Sequence, residues 1–381
     1  VTAPEADAPV TMLELFFDLV FVFVVTQLAG LVGASSNWVG YAHAALVLLV
    51  TWWIYDGFVW LSNNVTPTTT ATRVPMLIAM TCFLAMAASV TTVFGVSAWV
   101  FAAAYLLVVA IHAFQFSRSS LGVSSRGIRR IAPVNFGVAV LLFVAAALGS
   151  TWGWIAWVAA ILLLVIAGLR RFSYFTLRAE HFAERHRLLI IIALGETVVA
   201  IGVAANGRLF QFEVLVTFLV AMVVITTLWW SYFGVGDDER GLRAVEAAAP
   251  EFQTGLASRA YSLWHVLHVA GLVLVAVALD EILRDSGHPL PWSPAVAFGT
   301  GVALFMVAQA LFRRTLSIGS GRLHLAAAIA MLALVPLGVF VTGFAQLAVS
   351  GAVLVAFVVM LQRQRKQDAR AVAEEGALRL S

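Results

Sequence analysis

The sequence predicts an all-α membrane protein, a polytopic bundle of about twelve transmembrane helices. Three observations carry this. Of 381 residues, 62% are hydrophobic and only 11% charged, with a mean hydropathy of +0.96, where a soluble domain is roughly 25% charged. Apolar runs of membrane-spanning length recur from end to end. The basic residues between those runs segregate to alternate connections.

The spans are expected at 12–34, 41–62, 73–95, 97–117, 129–148, 151–169, 186–204, 211–233, 259–283, 294–312, 322–343 and 345–361. The first follows VTAPEADAPVT, which lacks the basic region of a signal peptide, so no cleavage is expected. It carries Glu14 and Asp18, four residues apart and therefore on one helical face. A charge at the bilayer centre costs roughly 2.5–3.5 kcal/mol on the insertion scale, so both should face protein or a water-filled cavity. Ser35-Ser36-Asn37 closes this span. The second holds TWWIYDGF, with Asp56 about two turns from its inner end and Trp52 and Trp60 on the same face. Pro67 and three threonines separate it from the third, which opens with Arg73. The fourth carries His112, and the fifth and sixth join through a tight Gly149-Ser150 turn.

The seventh span places Glu196 near mid-membrane, on the same face as Arg185. Eleven residues separate those two, about 16 Å of helix, too far for a direct pair. The eighth follows Asn206-Gly207 and repeats the WW-x-Y element at Trp229, Trp230 and Tyr232. The acidic run Asp237-Asp238-Glu239 then reads as a solvated loop. The ninth aligns Tyr261, His265 and His268 along one face. His288-Pro289 and Gly319-Ser320-Gly321 set off the last three spans.

With both termini in the cytoplasm, 21 of the 23 basic residues fall on the inner side, and only Arg208 and Arg284 on the outer. The WW-x-Y element recurs at an offset of 177, from Trp52 to Trp229, which brings Asp18 into register with Gly195 beside Glu196. This suggests a six-plus-six parallel internal repeat. The expected organisation is a short cytoplasmic N-terminus (1–11), two six-helix repeats (12–180 and 181–361) and a basic cytoplasmic tail (362–381).

The single Cys82 excludes an internal disulfide and any cysteine-based metal site. HExxH, Walker A and GxSxG motifs are all absent. No metal, cofactor or nucleic-acid partner is expected; the partners are the lipid bilayer and a small-molecule or ion substrate. The candidate chemistry lies in the polar residues of the spans. Asp18, Glu196 and His265 are the catalytic or proton-handling candidates, and Glu14, Asp56, Arg73, Tyr261, His268 and His112 line the expected substrate region. Arg73 is the expected partner of Asp18. The blander alternatives are an interfacial Glu14 and hydrogen-bonded core histidines.

Several segments resemble the bacterial low temperature requirement protein A (LtrA) family: ELFFDLVFVFVVTQLA from Glu14, WWIYDGFVWLSNNVTP before Arg73, HRLLIIIALGETVVAIG from His186, WWSYF from Trp229 and YSLWH from Tyr261. GET at Gly195-Glu196-Thr197 stands where that family often has GES. The resemblance implies a multi-pass bacterial inner-membrane protein and singles out Glu14, Asp18, Arg73, Glu196, Tyr261 and His265. The family name records a growth phenotype rather than a chemistry. Two functions are therefore carried forward. One is proton- or cation-coupled transport (or a channel) for a small solute, using intramembrane carboxylates. The alternative is an integral membrane enzyme acting from the cytoplasmic side on a prenyl or lipid-like substrate, cyclase- or transferase-like, with a buried carboxylic acid initiating the reaction.

Overall fold

The computed structural model describes residues 9–35, 37–118, 122–169 and 175–380, and all regular structure among them is helical. In chain order the helices are α1 (Met12–Ser35), α2 (Trp38–Asn64), α3 (Thr70–Ser89), α4 (Ala98–Ser117), α5 (Gly122–Leu169), α6 (Ala179–Ala204) and α7 (Phe212–Tyr232). They continue with α8 (Asp237–Glu246), α9 (Pro250–Ala257), α10 (Trp264–Arg284), α11 (Trp292–Thr315), α12 (Arg322–Ala333), α13 (Val335–Phe340) and α14 (Gly343–Leu380).

Local chemistry sets the helix starts that position the site. Thr11 and Glu14 form a capping box at α1. The Thr11 backbone N–H donates to Glu14 Oε2 at 2.7 Å, and the Glu14 N–H donates back to Thr11 Oγ1 at 3.4 Å. Asn37 caps α2 by accepting from the N–H groups of Val39 and Gly40 at 3.0 and 3.1 Å. Pro250 opens α9 in the first turn, where its missing donor costs nothing.

Eleven helices among the described residues are long and apolar enough to cross a membrane. The difference from twelve lies in α5. Its 48 residues would run about 70 Å if straight, more than twice the hydrocarbon thickness. Gly149 breaks it at φ 68°, ψ −170°, a conformation open essentially to glycine alone. A Cβ placed on Gly153 would lie 2.6 Å from the Ala145 carbonyl oxygen. In a straight helix those residues would be about 12 Å apart. The chain thus reverses at Gly149, and the expected spans 129–148 and 151–169 are the two arms of this hairpin.

The chain divides into two compact units. One comprises Val1–Glu196 and Leu242–Val273, the other Thr197–Gly241 and Leu274–Ser381. In the first unit α1 packs on α2 and α3, α3 on α4, and α4 on α5. Its core is aromatic: Phe17 stacks on Phe58 at 5.0 Å and Phe21 on Tyr55 at 4.0 Å, with Phe83 edge-on to Phe17 at 5.1 Å. In the second unit α7 packs on α14, and α11 on α12 and α13. The polarity of α1 is inverted relative to a water-soluble helix. Phe16, Leu19 and Phe23 are exposed, whereas Glu14 and Asp18 are completely buried. That distribution suits hydrocarbon outside and protein inside.

Candidate functional site

The two carboxylates that stand out in the first span share an arginine from α6. Arg185 is completely buried. Its Nε donates to Asp18 Oδ2 at 3.1 Å and its Nη2 makes a short contact with Asp18 Oδ1. Its Nη1 reaches Ser62 Oγ at 2.9 Å and Glu14 Oε1 at 3.4 Å. This is the bidentate geometry in which guanidinium matches carboxylate best. Tyr55 adds a hydroxyl donor to Asp18 Oδ1 at 2.8 Å. Glu14 Oε2 accepts from the Thr11 hydroxyl at 2.7 Å, and His181 Nε2 lies 3.1 Å from its Oε1.

A second arginine closes the network. Arg178, just before α6, donates from Nε to the Asn63 carbonyl at 2.8 Å and from Nη2 to the Ser62 carbonyl at 2.9 Å. Its backbone N–H donates to Asn63 Oδ1 at 2.9 Å. Burial lowers the Arg178 pKa, and the Glu14 carboxylate partly opposes that shift. Two carboxylates and two guanidinium groups therefore balance across α1, α2 and the start of α6. The expected Asp18–Arg73 pair does not form. Arg73 is exposed at the start of α3 and donates to the Pro67 carbonyl at 3.1 Å.

A second group lies on the same helices, one residue on from Tyr55 and Arg185. His186 Nδ1 is 2.9 Å from the Phe182 carbonyl oxygen, and its Nε2 is 3.4 Å from Asp56 Oδ1. The His186 ring neighbours those of Tyr261 at 5.5 Å and His265 at 5.2 Å, with His268 a further 5.1 Å beyond His265. Tyr261 lies within a π-helical turn, Ser258–Leu263, and His265 just after it. The wider turn leaves carbonyls without their usual helical donors. His265 Nδ1 lies 3.2 Å from the Ala260 carbonyl, and Trp52 Nε1 donates to that of Ser262 at 2.8 Å. The alignment of Tyr261, His265 and His268 expected from their spacing thus joins Asp56 through His186.

The remaining candidates are placed apart from these groups. Glu196 is half-buried on α6 and accepts from Thr26 Oγ1 at 2.7 Å. Thr26 lies eight residues beyond Asp18 on α1, as Glu196 lies eleven beyond Arg185 on α6. His112 holds α4 against α2 through a contact of 2.9 Å with the Gly57 carbonyl. Among the described residues no group of three or more His, Cys, Asp or Glu side chains is arranged to hold a metal ion.

The second unit contains a network that sequence reading missed. Asp237, expected in a solvated loop, is completely buried at the start of α8. It accepts from Arg313 Nη1 at 2.9 and 2.7 Å and from Gln309 Nε2 at 3.0 Å, and contacts Arg240 at close range. The signal available beforehand was Gln309 and Arg313, one turn apart at the inner end of the tenth expected span.

The family model described as bacterial low temperature requirement A protein (LtrA) matches residues 9–359. The uncharacterized protein RA0937 of Rhizobium meliloti (strain 1021) is 25% identical over 363 residues, covering 90% of this chain and 86% of its own. No solved structure matches.

Proposed function

The chain belongs to the bacterial low temperature requirement A (LtrA) family, and from that premise we propose that it is a proton- or cation-coupled transporter of a small solute in the bacterial inner membrane. Both termini are placed in the cytoplasm, a reading supported by the side bias of its basic residues.

The observation that carries the reading is Glu196. It sits in an apolar stretch of α6, half-buried, with the Thr26 hydroxyl as its hydrogen-bond partner. A hydroxyl serves either protonation state. It donates to the carboxylate, or it turns to the Val22 carbonyl, 3.2 Å away, and accepts from the acid. The carboxyl group therefore keeps a hydrogen-bond partner with or without a proton, as a coupling group requires. Asp18 supports the same reading by contrast. Both of its oxygens are occupied by Arg185, and one also by Tyr55. With both oxygens engaged by donors of the protein itself, Asp18 has neither to present to a substrate, which disfavours it as the general acid of the alternative, a prenyl- or lipid-modifying enzyme. Glu14, Asp18, Arg185 and Arg178 then act as a fixed brace, and Glu196 as the coupling group.

The test is flux in liposomes containing the purified protein and a trapped pH-sensitive dye. The wild type should move protons when a transported solute is supplied with a gradient, and Glu196→Gln should abolish the coupling. Absence of solute-dependent proton movement in the wild type under every gradient tried would sink the transport reading. A change in host lipid composition that depends on Asp18 would favour the enzyme instead.

A further inference from the structure

We infer that Asp56 and His186 form a proton-binding pair, holding one shared proton between Asp56 Oδ1 and His186 Nε2. The argument begins with the other ring nitrogen. A carbonyl oxygen only accepts, so the contact of 2.9 Å between His186 Nδ1 and the Phe182 carbonyl requires a hydrogen on Nδ1. In neutral His186 the Nε2 is then bare, and Asp56 Oδ1 lies 3.4 Å from it. Both atoms are buried, and neither has a hydrogen-bond partner among the described residues. Without a proton the contact sets a lone pair against a carboxylate, and buried unsatisfied polar atoms cost about 1–3 kcal/mol each. One proton between the two atoms removes the conflict, as imidazolium with carboxylate or as imidazole with carboxylic acid.

The surroundings separate this pair from the arginine network. Asp18 and Glu14 are neutralised by arginine, whereas Asp56 faces a histidine. Trp52 faces the His186 ring from α2, and Phe182 from its own helix. The titratable groups facing it are Asp56 from α2, Tyr261 from the π turn and His265 from α10, with His268 behind His265. Asp56 is eight residues before the end of α2 and His186 seven after the start of α6, so the pair lies about 10 Å in from that end of both helices. A metal cation is a poor alternative occupant, because it would need several oxygen ligands where the contact offers one carboxylate oxygen and one ring nitrogen. The role of the pair as a proton-loading point for transport rests on the reading given above; its proton binding does not.

The test is nitrogen NMR of the full chain in detergent micelles with labelled histidine, the His186 signals being assigned by their loss in His186→Gln. The expected spectrum keeps Nδ1 protonated throughout, while Nε2 gains its proton as pH falls. In Asp56→Asn the side-chain amide donates to the bare Nε2, so His186 should remain neutral with its proton on Nδ1 over the same range. A neutral His186 carrying its proton on Nε2 in the wild type overturns the inference, as does an unchanged titration in Asp56→Asn. The tautomer in the wild type decides the matter even where Asp56→Asn does not fold. Coupled flux without this titration overturns the pair and leaves transport standing; the titration without flux does the reverse.

Discussion

Removing the guanidinium from the Glu14–Asp18–Arg185 network should be among the most damaging single changes in the first unit. Arg185→Leu deletes two bonds to Asp18, one to Glu14 and one to Ser62. Glu14 retains the Thr11 donors and the nearby His181, but Asp18 is left with Tyr55. Breaking a buried ion pair by deleting one partner costs roughly 3–5 kcal/mol, mostly because the other charge is stranded. We therefore expect a loss of about 4 kcal/mol for Arg185→Leu and about 3 kcal/mol for Asp18→Leu, which leaves Arg185 with Glu14 and Ser62. The double variant strands less charge than the sum of its parts, so its loss should fall about 2–3 kcal/mol short of additivity. Equilibrium unfolding in mixed micelles, with the denaturing detergent titrated, reads all four corners of this cycle. Additivity within about 0.5 kcal/mol would refute the pairing, and so would a cost for Arg185→Leu below about 1 kcal/mol.

Three further predictions are separable. Tyr55→Phe removes the hydroxyl donor to Asp18 while keeping the stack on Phe21, and should cost about 1.5–3 kcal/mol in the same unfolding assay. Gly149→Ala forces a side chain into a glycine-only conformation and should cost about 1–3 kcal/mol, with reduced protease resistance at the α5 hairpin as a second readout. His288, in the exposed loop before α11, contacts Asp285 Oδ1 at 2.6 Å, and that hydrogen bond raises its pKa above the ordinary histidine value. Its stabilising contribution is therefore complete below the unfolded-state pKa and lost as pH rises through the higher folded value. Asp285→Asn should return the His288 NMR titration to the ordinary range.

Much of this architecture is legible in the sequence because apolar length and glycine placement are local properties. The Gly149-Ser150 break, for instance, anticipates the reversal inside α5. The cost of burying Glu14 and Asp18 likewise reveals that they face inward. It does not reveal what they face, because their arginine lies 167 and 171 residues away and only the packing of α1 against α6 brings it near. Arg73 is the partner expected from the sequence, yet it is exposed at the helix start and binds a local carbonyl. His181 and His186, five residues apart, do not align on one helical face. That divergence is why one reaches Glu14 and the other Asp56. Asp237 sits in a charged stretch that resembles an ordinary loop until α8 folds its first residue against Arg313 and Gln309.

The separation of Asp18 from Arg185 has a consequence for biosynthesis. At roughly 5–20 residues per second, the ribosome delivers Arg185 about ten to thirty seconds after Asp18, since 167 residues lie between them. Until then α1 carries two carboxylates without their arginine, and its hold on the bilayer is weakened by the price of burying them. Early release from the insertion machinery would leave that helix prone to slip back toward water. Helix α1 is therefore one that must wait, and its final seating is deferred until α6 arrives. Chains truncated before residue 185 should accumulate with α1 accessible to water-soluble labels, while chains extended past α6 should protect it.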